Sequence, residues 1–321
     1  MTKPAIEKKT IRTSFGTIAY IETGSPSRPP VLFVHGIPTS SYLWRHVVRF
    51  LQNDFHCYAP DLMGLGDTDV DPARAEFHMD AQAEMLMELM EKLGHDRYAI
   101  VCHDQGGAAA QIIAARQPQR ITCFVLTDCV CYDNWPVPAI ERLQRLSRWR
   151  PLSELFSASG VGLWLETRTR LSAFRKGVYE KSKLTDETIR EYLRPLSTKA
   201  GRARFRAFLL AGDPRYTQLA VDGLREFDKP TLVVWAADDR YLSPSWGQML
   251  LEDIPGATEL RLVPFCGHFW QEERPAEFAS VIGEFLSKHL ALEQPAKDES
   301  SERGKAVVSL PVVESAASPA K

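Results

Sequence analysis

The sequence predicts an α/β protein, a mostly parallel sheet with helices on both faces and an inserted helical cap. Three observations carry this. Short apolar runs alternate with helix-like runs in the first half. The alternation stops near Asp133-Asn134-Trp135-Pro136. It resumes after about Asp213-Pro214. A strand buried on both faces reads as an unbroken apolar run, and β-α-β alternation implies parallel pairing.

The elements follow in order. Val31-Leu32-Phe33-Val34 and Tyr98-Ala99-Ile100-Val101-Cys102 are continuous apolar runs of strand length. Between them, Asp80 to Leu93 places Met85, Leu86, Leu89, Met90 and Leu93 at helical spacing, and Gly94 is its C-cap. Ala108 to Gln117 reads as a helix ended by Pro118, and Ile121 to Leu126 as another buried strand. From residue 134 to 215 the chain reads helical, with no strand-like run. Thr231 to Trp235 (strand), Pro244 to Glu252 (helix), Thr258 to Pro264 (strand) and Pro275 to Leu290 (helix) complete the pattern. The expected organisation is a core first part at 1–133, a cap at 134–215 and a core second part at 216–291. A tail rich in Ala, Ser, Pro, Glu and Lys at 292–321 is expected to be disordered.

Composition excludes several classes. The 39 basic and 41 acidic residues leave a net charge of -2, which does not suggest a nucleic-acid or membrane-surface binder. No apolar run approaches the ~20 residues that span a bilayer. The start lacks an apolar signal region, and the six cysteines are scattered, so a reduced, cytoplasmic protein is expected. No clustered Cys/His, HExxH, G-x-G-x-x-G after a strand or Walker sequence appears, so neither a metal nor a nucleotide cofactor is expected. The expected partner is a small-molecule substrate, and the expected state is a monomer or homodimer. The segment Glu141–Arg206 carries 16 Lys+Arg against 7 Asp+Glu. Solvated helix faces are one account of that surplus; attraction of anionic or electron-rich substrates is the other.

The candidate chemistry begins at Cys102-His103-Asp104-Gln105-Gly106-Gly107. A reactive residue on a sharp strand-to-helix turn, backed by small residues, is a nucleophile elbow. Here the position holds Asp104, and a carboxylate suits displacement at saturated carbon, giving an enzyme ester. His35-Gly36-Ile37-Pro38 lies 69 positions upstream, after an apolar strand. Its loop supplies one backbone N–H of an oxyanion hole, and the residue after the nucleophile supplies the other, which assigns Ile37 and Gln105. His268, in Phe265-Cys266-Gly267-His268-Phe269, is the candidate general base. The other histidines, His35 and His103 among them, read as loop or surface residues. Two carboxylates can orient His268: Asp239, which is preferred, and Asp128, with Asp238 as an off-by-one alternative.

Together these residues resemble the α/β-hydrolase superfamily, in its Asp-nucleophile branch of epoxide hydrolases and haloalkane dehalogenases. The resemblance covers about Ile11 to Leu290. Pro60-Asp61-Leu62-Met63-Gly64-Leu65-Gly66-Asp67-Thr68-Asp69 is similar to the family's D-x-x-G-x-G-x-[ST] turn, and Pro38-Thr39-Ser40-Ser41-Tyr42-Leu43-Trp44-Arg45 looks dehalogenase-like. Dehalogenases of this kind usually place Trp after the nucleophile and, in many, Asn after the HG pair. This chain has Gln105 and Ile37 there. The resemblance therefore implies an epoxide hydrolase first, with lid tyrosines protonating the epoxide oxygen. Tyr216 is the first candidate, with Tyr132, Tyr179 or Tyr192 as the second. A haloalkane dehalogenase with a divergent halide site at Gln105 and Trp135, Trp149 or Trp164 is the alternative. A ligand-binding protein that keeps the fold without turnover is a third reading.

Overall fold

The computed structural model describes residues 7–149, 151, 154, 158–169 and 172–290. The expected disordered tail at 292–321 lies outside the described residues. Eight strands form one sheet: β1 Lys9–Arg12, β2 Thr17–Thr23, β3 Pro30–Val34, β4 His56–Pro60, β5 Tyr98–Asp104, β6 Ile121–Cys129, β7 Thr231–Ala236 and β8 Ala257–Val263. Their order across the sheet is β1-β2-β4-β3-β5-β6-β7-β8. β2 pairs antiparallel with β1 and β4, and every other pairing is parallel.

The central strands are apolar throughout because both faces are covered. On β5, Ile100 and Cys102 join one apolar cluster while Ala99 and Val101 join the other. The first cluster packs the Met79–Lys92, Gly106–Arg116 and Arg215–Arg225 helices against the sheet. The second packs the Val47–Leu51 and Pro275–Leu290 helices on the opposite face. Gly94, at φ +86°, ends the Met79–Lys92 helix in the left-handed conformation that glycine tolerates. β8, expected as a strand at Thr258 to Pro264, is a strand that is only partly buried. Glu259 and Leu262 are exposed, as befits the sheet's last strand, which has a neighbour on one side only.

Between β6 and β7 the described residues contain helices and no strand. Short polar caps start several of them: Ser172, Thr185 and Thr198 each accept a backbone N–H from the first turn. Arg215–Arg225 returns the chain to the core, where Gly223 presses on Ala115; a Cβ there would lie 2.6 Å from that of Ala115. Cations of the insertion meet acids of the turn after β4. Arg194 reaches Asp67 at 2.6 Å, and Arg204 pairs with Asp69. Lys8 bridges Asp61 and Asp67 at 2.7 and 2.8 Å. Some of the insertion's basic surplus is therefore matched by core carboxylates. No helix among the described residues is long and apolar enough to cross a membrane.

Candidate active site

β5 ends at Asp104, whose backbone sits at φ +51°. That left-handed conformation is rare for side-chain-bearing residues, though Asp and Asn adopt it more readily than most. It throws the carboxylate off the strand end and starts the Gly106–Arg116 helix immediately. The glycines around it are required by contact. A Cβ on Gly36 would lie 2.1 Å from Asp104 Oδ1, and one on Gly106 would lie 2.4 Å from the His35 carbonyl oxygen.

The two Asp104 oxygens have different neighbours. Oδ1 accepts the Ile37 N–H at 2.7 Å. The Gln105 backbone N–H, next in the chain, helps to lower the pKa of the same carboxyl. Oδ2 lies 3.5 Å from His268 Nε2. His268 Nδ1 is 2.8 Å from Asp239 Oδ2. Asp239 Oδ1 in turn accepts the backbone N–H groups of Tyr241 at 2.7 Å and Leu242 at 3.1 Å. The structure thus brings Asp104, His268 and Asp239 into one chain of contacts at the carboxyl edge of the parallel strands, with Ile37 and Gln105 beside it.

Charge follows the geometry. Burial works against ionising Asp104, but the hydrogen bond and charge of His268 hold its carboxyl below the usual range. Burial likewise opposes the His268 cation, yet Asp239 and then Asp104 raise its pKa well above that of a free imidazole. The imidazole of His268 thus lies between the carboxyl groups of Asp104 and Asp239.

Asp128 does not reach His268 by a hydrogen bond, which corrects its standing as the alternative acid. Its carboxyl is fully buried, with Oδ1 accepting the Ala236 N–H at 2.9 Å and Oδ2 accepting the Trp270 indole N–H at 2.8 Å and the Thr127 hydroxyl at 2.6 Å. Burial, and then the Asp239 charge, push its pKa well up. Asp238 is also set aside, since its Oδ2 accepts the Phe265 N–H at 3.0 Å.

The expected substrate-binding residues are not gathered here. Among the described residues no hydrogen bond or ring contact joins Tyr132, Trp135 or Tyr216 to Asp104 or His268. Tyr132 donates to Asp253 Oδ2 at 3.0 Å and stacks on Trp246. The Trp135 indole N–H donates to Thr217 Oγ1 at 2.8 Å. Tyr216 stacks on His78, accepts from Arg215 at 2.9 Å, and lines a cleft of about 270 Å³ with His78, Gln144 and Arg148. Tyr192 is buried with its hydroxyl on Glu272. Tyr179, Trp149 and Trp164 are exposed. Chain position suggested these residues, and the contacts of Tyr132, Trp135, Tyr216 and Tyr192 named here are made with side chains other than Asp104 and His268.

Other side chains near His268 carried no sequence signal of a role. Tyr241 stands edge-on to its ring, 5.4 Å between centroids, and donates to the Ala173 carbonyl at 2.5 Å. Phe269 stands edge-on at 4.9 Å.

His103 and His35, expected as loop or surface residues, are fully buried. His103 Nε2 donates to the His268 carbonyl at 2.8 Å. Burial, and then the His268 charge, push its pKa down to about 3. His35 Nε2 accepts the Leu62 N–H at 3.0 Å, and burial pushes its pKa down to about 4. Both fold as neutral imidazoles, whereas an unfolded His titrates near ~6.5. On acidification the unfolded chain therefore takes up these protons first. Stability is present above pH ~6.5 and is lost as pH falls towards about 3 to 4, by on the order of 5 kcal/mol at pH ~4.5. His268 has the opposite sign, so its contribution is lost as pH rises. Urea unfolding at a series of pH values checks this; a flat midpoint between pH ~7 and ~4.5 would contradict it.

Among the described residues there is no group of three or more His, Cys, Asp or Glu placed to hold a metal ion.

Comparison with known proteins agrees with this architecture. A family profile described as alpha/beta hydrolase fold matches residues 29–275. The chain is 30% identical to a haloalkane dehalogenase of Sphingobium indicum, covering 89% of this chain and 97% of that one. It is 26% identical to epoxide hydrolase 3 of Xenopus tropicalis, covering 84% of this chain and 74% of that one. A solved alpha/beta hydrolase fold protein from Burkholderia ambifaria superposes with a TM-score of 0.76 at 24% identity, covering 86% of this chain and 97% of the other. The eight-stranded sheet, the elbow at its centre and these matches have one reading: the chain belongs to the α/β-hydrolase fold family and is a hydrolase of the epoxide hydrolase and haloalkane dehalogenase branch.

Proposed function

We propose that this hydrolase uses Asp104 to form an alkyl-enzyme ester, and that its reaction is the opening of an epoxide to a diol. The observation that carries the reading is the division of labour between the two Asp104 oxygens. Oδ1 is held by the Ile37 N–H at 2.7 Å, while Oδ2 faces His268 and is the oxygen free to attack. Attack by Oδ2 on an electrophilic carbon forms an ester and breaks the C–O bond of the epoxide. Asp104 then carries no charge, so one of the two carboxylates stabilising the His268 imidazolium is gone. The proton that His268 sheds balances the alkoxide, which becomes a hydroxyl. The neutral imidazole is left to take a proton from water. Hydroxide attacks the ester carbon, and the resulting oxyanion is the former Oδ1, which already accepts the Ile37 N–H and which the Gln105 N–H can join in holding. Collapse expels the diol as its alkoxide, which takes the proton of the new carboxylic acid, so that Asp104 is again ionised and His268 again protonated.

A departing halide needs N–H donors rather than a proton, and the Trp135 indole is engaged with Thr217. Haloalkane dehalogenation is the second reading, favoured by the 30% identity to a haloalkane dehalogenase. A single turnover in heavy-oxygen water, offered epoxides and haloalkanes separately, tests both. Heavy oxygen is expected in the Asp104 carboxylate, with ordinary oxygen delivered to a diol. Halide release with the same Asp104 label would transfer the mechanism to haloalkanes. Label appearing in the first-turnover product and not in Asp104 would overturn the ester.

A further inference from the structure

The geometry points to Glu273 as a positioning residue that ties the inserted helices to the loop carrying His268. Glu273 lies in the short Trp270–Glu273 helix after His268 and is 5% exposed. Its carboxylate bridges two backbones. Oε1 accepts the N–H of Gly267, the residue before His268, at 2.8 Å. Oε2 accepts the N–H of Glu180, in the insertion, at 2.7 Å. One buried side chain thus holds both parts, and each N–H it satisfies would otherwise be a costly orphan.

The surrounding contacts run the same way. Phe269 donates its N–H to the Gly177 carbonyl at 2.9 Å. Tyr241, two residues after Asp239, donates its hydroxyl to the Ala173 carbonyl. The backbones are pressed together, since a Cβ on Gly267 would lie 2.7 Å from the Gly177 oxygen and 2.9 Å from the Tyr179 nitrogen. A Cβ on Gly177 would lie 2.6 Å from the Phe269 ring, which is itself edge-on to His268. Arg274, next to Glu273, donates to the Phe265 carbonyl at 3.0 Å and closes the other side of the loop. Phe265 holds φ +56°, so this loop is kept in a conformation it would not adopt alone. Segment 173–180 of the insertion therefore braces the loops of His268 and Asp239 at once, and Glu273 is the charged group in that brace.

Glu273→Gln is the direct test. An amide can accept from one of the two N–H groups but presents its own NH2 to the other. Glu273→Asp keeps two acceptor oxygens on a stem one carbon shorter, and serves if the first variant folds poorly. Gly177→Ala pushes on Phe269 from the insertion side without touching Glu273. The first readout is the NMR resonance and titration of the His268 imidazole, which needs no substrate. Each variant is expected to weaken the downfield Nδ1–H signal and to move the His268 pKa towards that of a free imidazole. The second readout rests on the proposed function: kcat is expected to fall by about 10–100-fold, the usual range for losing a residue that orients a reactive group, with KM within about threefold. An unchanged His268 signal in folded variants would overturn the proposal, whatever happens to kcat. A moved signal in a protein that turns over neither substrate class would leave Glu273 as the positioning residue and overturn the function instead.

Discussion

Asp104→Asn is expected to reduce turnover by about 10⁴-fold or more, the scale seen when a covalent nucleophile is removed. Asn is the informative substitution. It tolerates the left-handed backbone at φ +51° and keeps an oxygen for the Ile37 N–H at 2.7 Å. The fold and the oxyanion hole should both survive. What is lost is the anionic Oδ2 facing His268 at 3.5 Å. Product formation under saturating substrate is the measurement, with the melting temperature as control. Turnover within tenfold of the wild type at unchanged stability would show that Asp104 is not the nucleophile.

Asp239→Asn should cost about 10³–10⁴-fold in kcat, whereas Asp128→Asn should cost less than about tenfold. The difference lies in what each carboxylate touches. Asp239 holds His268 Nδ1 at 2.8 Å and so fixes which ring nitrogen faces Asp104. An amide there can present NH2 to Nδ1 and favour the wrong tautomer. Asp128 binds the Ala236 N–H and the Trp270 indole, not the imidazole. Its substitution disturbs a buried hydrogen-bond cluster and should appear mainly in stability, by about 1–3 kcal/mol. Steady-state kinetics and urea unfolding of both variants check this. A reversed ranking in kcat would move the acid role to Asp128.

The sequence made the elbow readable because its requirements are local. A strand, a reactive residue and two glycines must be consecutive, and Cys102 to Gly107 satisfies that in six positions. The long central strands were readable because burial on both faces leaves an unbroken apolar run. β1, β2 and β4 were missed for the opposite reason. Lys9–Arg12 is a short, mostly exposed edge strand, Thr17–Thr23 is antiparallel with a polar start and end, and His56–Pro60 buries a histidine. Asp239 follows β7 and Asp128 stands at the end of β6, both at the carboxyl ends of parallel strands, so the pattern left both open and only the distance to His268 separates them.

Whether Tyr132, Trp135 or Tyr216 faces the site was not legible, because a side chain's direction depends on helix packing, which chain position does not encode. Glu273 acts through backbone N–H groups 6 and 93 residues away. No side-chain pattern announces such contacts.

The pairing of Arg194 with Asp67 and of Arg204 with Asp69 bears on how this protein could be recombined with others. Residues 141–206 hold 16 cationic and 7 anionic side chains, leaving 23 and 34 in the rest of the chain. Each part alone is electrically lopsided, and the near-neutral total hides two opposite excesses. A helical segment grafted from this chain onto a foreign sheet would arrive with Arg204 lacking Asp69 and with Arg194 left to Glu191 alone. A foreign segment grafted here would leave the turn after β4 with Asp67 short of Arg194 and Asp69 short of Arg204. Chimaeras should therefore tolerate exchange best when the aspartates of that turn travel with the segment that neutralises them.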